Sequence, residues 1–183
     1  MAIVTLADAK AQLNISASDT SQDVELQVYV DAATAAVETQ LGQVVEPRTI
    51  VDQLDFASSV TAFLLRSVPV VSLTSIVALD GTQTWGVSPS VVRVDGGSGC
   101  VTVLSGPPVK GSVLATYQAG MTVVPAHFRL AALIIVQHLW ETQRGTMGVR
   151  LNSGGDDNYV AGRGFAIPRR AIELLGPQLP GVA

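Results

Sequence analysis

Apolar positions along this chain change their period from one stretch to the next, and each change marks an element. Leu6, Ala9 and Leu13 recur at helical spacing behind Thr5 and Asp8, a pair placed like a capping box with a shortened acid, so a short helix is predicted over about 5–14. A polar break over 14–21 follows. Leu26, Val30, Ala33, Val37 and Leu41 then form one stripe, which Val24, Val28 and Ala35 are expected to widen. This second helix is predicted to start near Thr20 and Ser21 and to end at Gly42, a residue suited to a left-handed cap. Ala32, Ala33, Ala35 and Ala36 permit close approach of another helix, within the chain or from a neighbour.

Over 44–118 β-branched residues dominate, and Asp80-Gly81, Asp95-Gly96-Gly97 and Gly106-Pro107-Pro108 punctuate them as turns. Several short antiparallel strands are expected, in a small sheet or partial barrel. Val71, Leu73, Val77 and Leu79 share one parity, broken near Ser75, and Val113, Ala115 and Tyr117 alternate as a half-buried strand should. Pro69 is expected at the start of a strand or on an edge.

Pro125 suits the first position of a third helix, which runs to Arg144. Phe128, Leu130 to Val136, Leu139 and Trp140 leave that helix only a narrow polar face, from Arg129, Gln137 and Arg144. A neighbouring subunit is expected to supply part of its cover. Gly, Asn and Asp then fill much of 145–164, a predicted flexible loop, before Pro168 and Gly176-Pro177 bracket a short terminal helix. The class is α+β: a helical core of two N-terminal helices and a central third, a β-rich antiparallel insertion between helices 2 and 3, and a C-terminal arm ending in a short helix. The boundaries are a domain over 1–145, with helical core at 1–43 and 122–145 and insertion at 44–121, then a loop and docking arm over 146–183.

Composition sharpens the assembly reading. Hydrophobic residues make up 48% and charged residues 14%, against about 25% charged in an average soluble domain, and mean hydropathy is +0.39. Such a chain lies in a membrane or hides surface in an assembly. The longest apolar run of the third helix, Leu130 to Val136, falls far short of the ~20 residues that span a bilayer, so no membrane is expected. No export signal is read at the N-terminus. Cys100 is the single cysteine, read as a buried structural thiol in an intracellular assembly. Residues 1–66 carry nine acids against three basic residues, a balance of −6, while 129–183 carry six arginines against four acids, a balance of +2. Solvated faces account for this, and so does head-to-tail complementarity between unlike surfaces. No basic nucleic-acid patch is seen.

Chemistry has little support. His127 and His138 return to nearly one helical face but stand about 16 Å apart along the axis, too far to share a metal. No zinc, calcium, phosphate-loop or nucleophile-elbow spacing occurs, so no catalytic residue, metal or cofactor is expected. Asp19, Asp23, Asp31 and Glu38 are read as a solvated acidic face, and Trp85 and Trp140 as interface anchors or, for Trp140, core.

Four segments in order carry a resemblance: Val4-Thr5-Leu6-Ala7-Asp8-Ala9-Lys10-Ala11-Gln12-Leu13, Asp31-Ala32-Ala33-Thr34-Ala35-Ala36-Val37-Glu38, Val68-Pro69-Val70-Val71-Ser72-Leu73-Thr74-Ser75-Ile76, and Tyr117 to Arg144. Over about residues 3–145 the chain resembles the head-tail connector (adaptor, head-completion) proteins of long-tailed bacteriophages. The resemblance implies a structural protein of the virion, assembled in the host cytoplasm as a ring, twelve-fold in the family. Its implied partners are the portal above, the next neck or tail-completion protein below, and genomic DNA passing through without sequence-specific binding. Acidic or neutral channel walls suit that passage, because basic side chains pair with phosphates. Docking onto the portal or a neighbouring subunit is expected from Arg163, Phe165, Ile167, Arg169, Arg170, Leu174 and Leu175. Leu26, Val30, Val37, Leu41, Phe128, Leu133, Ile134 and Trp140 are assigned to subunit or core packing. Another neck or tail-completion protein, and a small-ligand-binding or enzymatic domain resting on the β-rich insertion and the two histidines, are the alternatives.

Overall fold

The computed structural model describes residues 3–143 and 167–176. They fall into two units: a β unit over Gln43–Val123, and a helical unit made of the described residues on either side of it.

In the helical unit, α1 (Leu6–Gln12) opens on the expected capping box. The Thr5 hydroxyl accepts from the Asp8 N–H at 3.1 Å, and the Thr5 N–H donates to Asp8 Oδ2 at 3.0 Å. α2 (Asp23–Leu41) starts two to three residues later than its periodicity suggests. Asp19 is the cause, since its carboxylate accepts from both the N–H and the hydroxyl of Ser21, at 3.0 and 2.6 Å, and holds that stretch in a turn. The helix stops at Gly42, whose φ of 64° is left-handed as its position in the sequence implies. α3 (Ala126–Gln143) begins one residue after Pro125, whose carbonyl accepts from the N–H groups of Phe128 and Arg129. α4 (Arg169–Leu175) follows Pro168.

Leu26, Val30, Ala33 and Val37 of α2 are buried, as are Ala131, Ala132, Ile135 and Val136 of α3 and Ala171 of α4. α3 packs against α1, α2 and α4, so most of the cover that its composition assigns to a neighbouring subunit comes from its own chain. Leu130, on the face opposite the buried stripe, stays exposed.

The β unit holds two antiparallel sheets rather than several short strands in one. The first has the order β1 (Arg48–Val60), β7 (Val109–Ala119), β3 (Val70–Ala78), β4 (Thr84–Trp85); the second has β2 (Ala62–Leu64), β6 (Cys100–Val103), β5 (Val92–Asp95). The three turn signals fall between strands as expected, at β3–β4, β5–β6 and β6–β7. At the first, the N–H and hydroxyl of Thr82 donate to Asp80. β1 and β7 are the long members, and their pairing joins the first and last strands of the unit.

Val113, Ala115 and Tyr117 alternate into the core as predicted, each fully buried. The parity expected for β3 fails. Its register against β7 shifts between Val70 and Ser72 and again between Leu73 and Ser75, and each shift flips the side chains that follow. The core-facing set is Val70, Leu73, Ile76 and Ala78, while Val71 and Leu79 are 45% and 51% exposed.

Candidate assembly surfaces

Packing fixes what each unit leaves outside. On α2, successive residues are turned by about 100°, so the buried stripe through Leu26, Val30, Ala33, Val37 and Leu41 has an opposite face. Val24, Val28 and Ala35 fall there rather than at the margin of the stripe. Val24 is 84% and Val28 59% exposed, and Ala35 is exposed with them. α2 is therefore apolar on two opposite faces, of which the described residues cover one. Asp31 and Thr39 lie on or beside the outward face and are also exposed; Gln27 donates to Asp31 Oδ1 at 2.8 Å.

The expected acidic face divides. Lys10, buried at the foot of α1, reaches Asp23 Oδ1 at 2.5 Å and donates to the Asp19 carbonyl at 2.8 Å. Asp23 thus serves an internal ion pair. The hydrogen bonds from Ser21 lower the pKa of Asp19. Asp31 remains an outward charge. Across the helical unit, Arg129 Nη2 lies 3.2 Å from Asp8 Oδ2. The Asp8 carboxyl is held below its usual range first by the Thr5 hydroxyl and N–H and then by Arg129.

Of the packing residues named from the sequence, Leu26, Val30, Val37 and Leu41 are buried, and Phe128, Leu133, Ile134 and Trp140 are half-buried. The Trp140 ring meets Tyr29 edge-on at 6.2 Å. Of the docking residues, Leu175 is buried on its own chain, Ile167 and Leu174 are half-buried, and Arg169 and Arg170 are exposed. Arg169 pairs with Glu173 at 3.3 Å. Arg170 has no ion-pair partner among the described residues. Arg163 and Phe165 lie outside those residues.

In the β unit, the polar interior is satisfied. The Tyr117 hydroxyl donates to the buried Asp52 carboxylate at 2.6 Å and accepts from the Ser67 N–H at 3.1 Å, and the Arg66 N–H donates to the same Asp52 oxygen at 3.1 Å. Burial, then the bond to Asp52, push the Tyr117 phenol pKa up. Trp85, named as an interface anchor, is buried instead, its indole N–H donating to the Pro107 carbonyl at 2.8 Å. Its nearness to a hairpin tip suggested exposure, but the Gly106-Pro107-Pro108 turn closes over it. Cys100, expected buried, is half-buried on β6.

His127 is exposed against Phe128, and His138 is half-buried. No group of three or more His, Cys, Asp and Glu side chains converges among the described residues. No helix among them is long and apolar enough to cross a membrane.

Residues 2–176 match the family described as head completion protein. No curated protein matches in sequence. Solved structures similar in fold include the following. A chain in the virion of the native gene transfer agent (GTA) particle has a TM-score of 0.67 at 17% identity, over 97% of this chain and 91% of that one. A chain in the neck of the empty GTA particle, computed with C6 symmetry, has a TM-score of 0.65 at 18% identity with the same coverage. One in the neck of the native particle, computed with C12 symmetry, has 0.61 at 18% identity, over 96% and 88%.

Proposed function

Because the chain belongs to the head completion protein family, we propose that it is the head-tail adaptor of a long-tailed bacteriophage, a ring beneath the portal that extends the DNA channel and receives the next neck component. The observation that carries this reading is the family match over residues 2–176, which embraces both units. The neck structures similar in fold, with their six- and twelve-fold symmetry, support a ring of this chain, twelve-fold as the sequence resemblance implies. An uncovered apolar face on α2 fits a subunit built to be joined. The family is one of virion structure, in keeping with a chain whose surfaces do mechanical rather than chemical work.

In this reading the C-terminal segment around α4 docks on the portal or on a neighbouring copy. The helical unit supplies the frame, and genomic DNA passes without base-specific contact. The test is electron microscopy of the purified protein alone and mixed with portal. The expected result is a ring with a central hole stacked on the portal. A chain that stays monomeric and unbound in the mixture overturns the reading.

A further inference from the structure

The outward face of α2 needs an occupant, and the charges around it identify one. α2 carries four acids and no basic residue. Two copies of this face set against each other would bring Asp31 and its neighbours into like-charge contact, which disfavours a symmetric α2–α2 pairing. The complement lies elsewhere on the same unit. At about 100° per residue, Arg170 and Leu174 share one flank of α4, beside the face that Ala171 and Leu175 bury. Ile167 lies just ahead of the helix. Ile167 and Leu174 are half-buried, and Arg170 is exposed without an ion-pair partner among the described residues. One surface is apolar with an exposed acid, the other apolar with an exposed base.

We infer that α2 of one copy packs its Val24, Val28 and Ala35 face on the Ile167, Arg170 and Leu174 flank of α4 in a second copy, with Arg170 paired to Asp31. This names the subunit contact of the proposed ring and rests on that reading. The pairing joins unlike surfaces, so after the first contact the pair still carries one free surface of each kind, and the assembly grows until the rotation closes. The contact joins a small apolar core to one ion pair at its border, the arrangement in which a charge fixes register while burial supplies affinity.

The test is complementation between variants in sedimentation velocity, with and without portal. Asp31→Arg alone sets two cations against each other, and Arg170→Asp alone sets two acids. Each is expected to weaken self-association by about tenfold or more, with circular dichroism unchanged because both positions are exposed. Mixed in equal amounts, the two variants restore an opposite-charge pair at every contact, and assembly returns. Val28→Asp weakens assembly in either mixture. Variants that assemble like the wild type, or a mixture that fails to recover, overturn this contact while wild-type rings leave the ring reading standing. A wild-type chain that forms no ring in either condition overturns both.

Discussion

The two units solve the same problem differently. The β unit turns a few polar groups inward and satisfies them, as in the Asp52, Tyr117, Arg66 and Ser67 cluster, and it buries its tryptophan with the indole N–H bonded. The helical unit packs α3 against α1, α2 and α4 and leaves Val24 and Val28 of α2 in solvent. A core completed within one unit resists substitution there. An apolar face left open marks where substitution changes assembly instead of folding.

The sharpest way to break this comparison lies within α2. Leu26→Ala is expected to cost about 2–5 kcal/mol of stability, because Leu26 has no exposed surface. Val24→Asp, two residues earlier, is expected to stay within about 0.5 kcal/mol, with its acid in the first turn where the helix dipole favours it. Denaturant titration of both reads the difference directly; a similar loss for the two would mean that the outward face is already covered.

Tyr117→Phe is a smaller change in the β unit, removing one oxygen that serves both Asp52 and the Ser67 N–H. About 1–3 kcal/mol should be lost. Equal stability of the variant would show that water replaces the phenol.

Two pH limbs give the finest contrast. Asp8 has a folded pKa below its ordinary 3.8, so its contribution is present above that value and declines as pH falls through the folded pKa. Asp8→Asn should therefore differ from the wild type at neutral pH and converge with it in strong acid. Tyr117 has a folded pKa above its ordinary 10.0, so its contribution is present below pH 10.0 and declines as pH rises from there toward the folded value. Tyr117→Phe should flatten the alkaline limb only. Thermal unfolding across pH checks both signs.

The elements whose signals are local were readable from sequence. Thr5 with Asp8, Gly42, Pro125 and the three turn motifs each act through a residue's own backbone preference or a neighbour's hydrogen bond, and the structure puts a helix end or a turn at each. The positions that sequence misplaced depend on partners far along the chain. Nothing local in β3 shows that β7 forces two register shifts upon it, and nothing near Trp85 shows that Pro107 will close over its indole. Val24 and Val28 are different, since the angle between them and Leu26 was already in the sequence. At about 200° from Leu26 each, they form a second stripe opposite the first. The docking residues divide for the same reason: Leu175 packs on its own chain through a contact no linear pattern records, while Arg170 stays outside.

The seam at Gly120 has a consequence for how the β unit closes. The Met121 N–H donates to the Val45 carbonyl at 3.1 Å, and Gly120, at a φ of 134°, lies so close to Pro47 that an added Cβ would sit 2.5 Å from its Cα. The first and last strands of the β unit pair along their length, and this contact carries on past the last pair. They leave the β unit side by side, as a closed two-stranded stem. Any residue larger than glycine at position 120 would pry that stem apart.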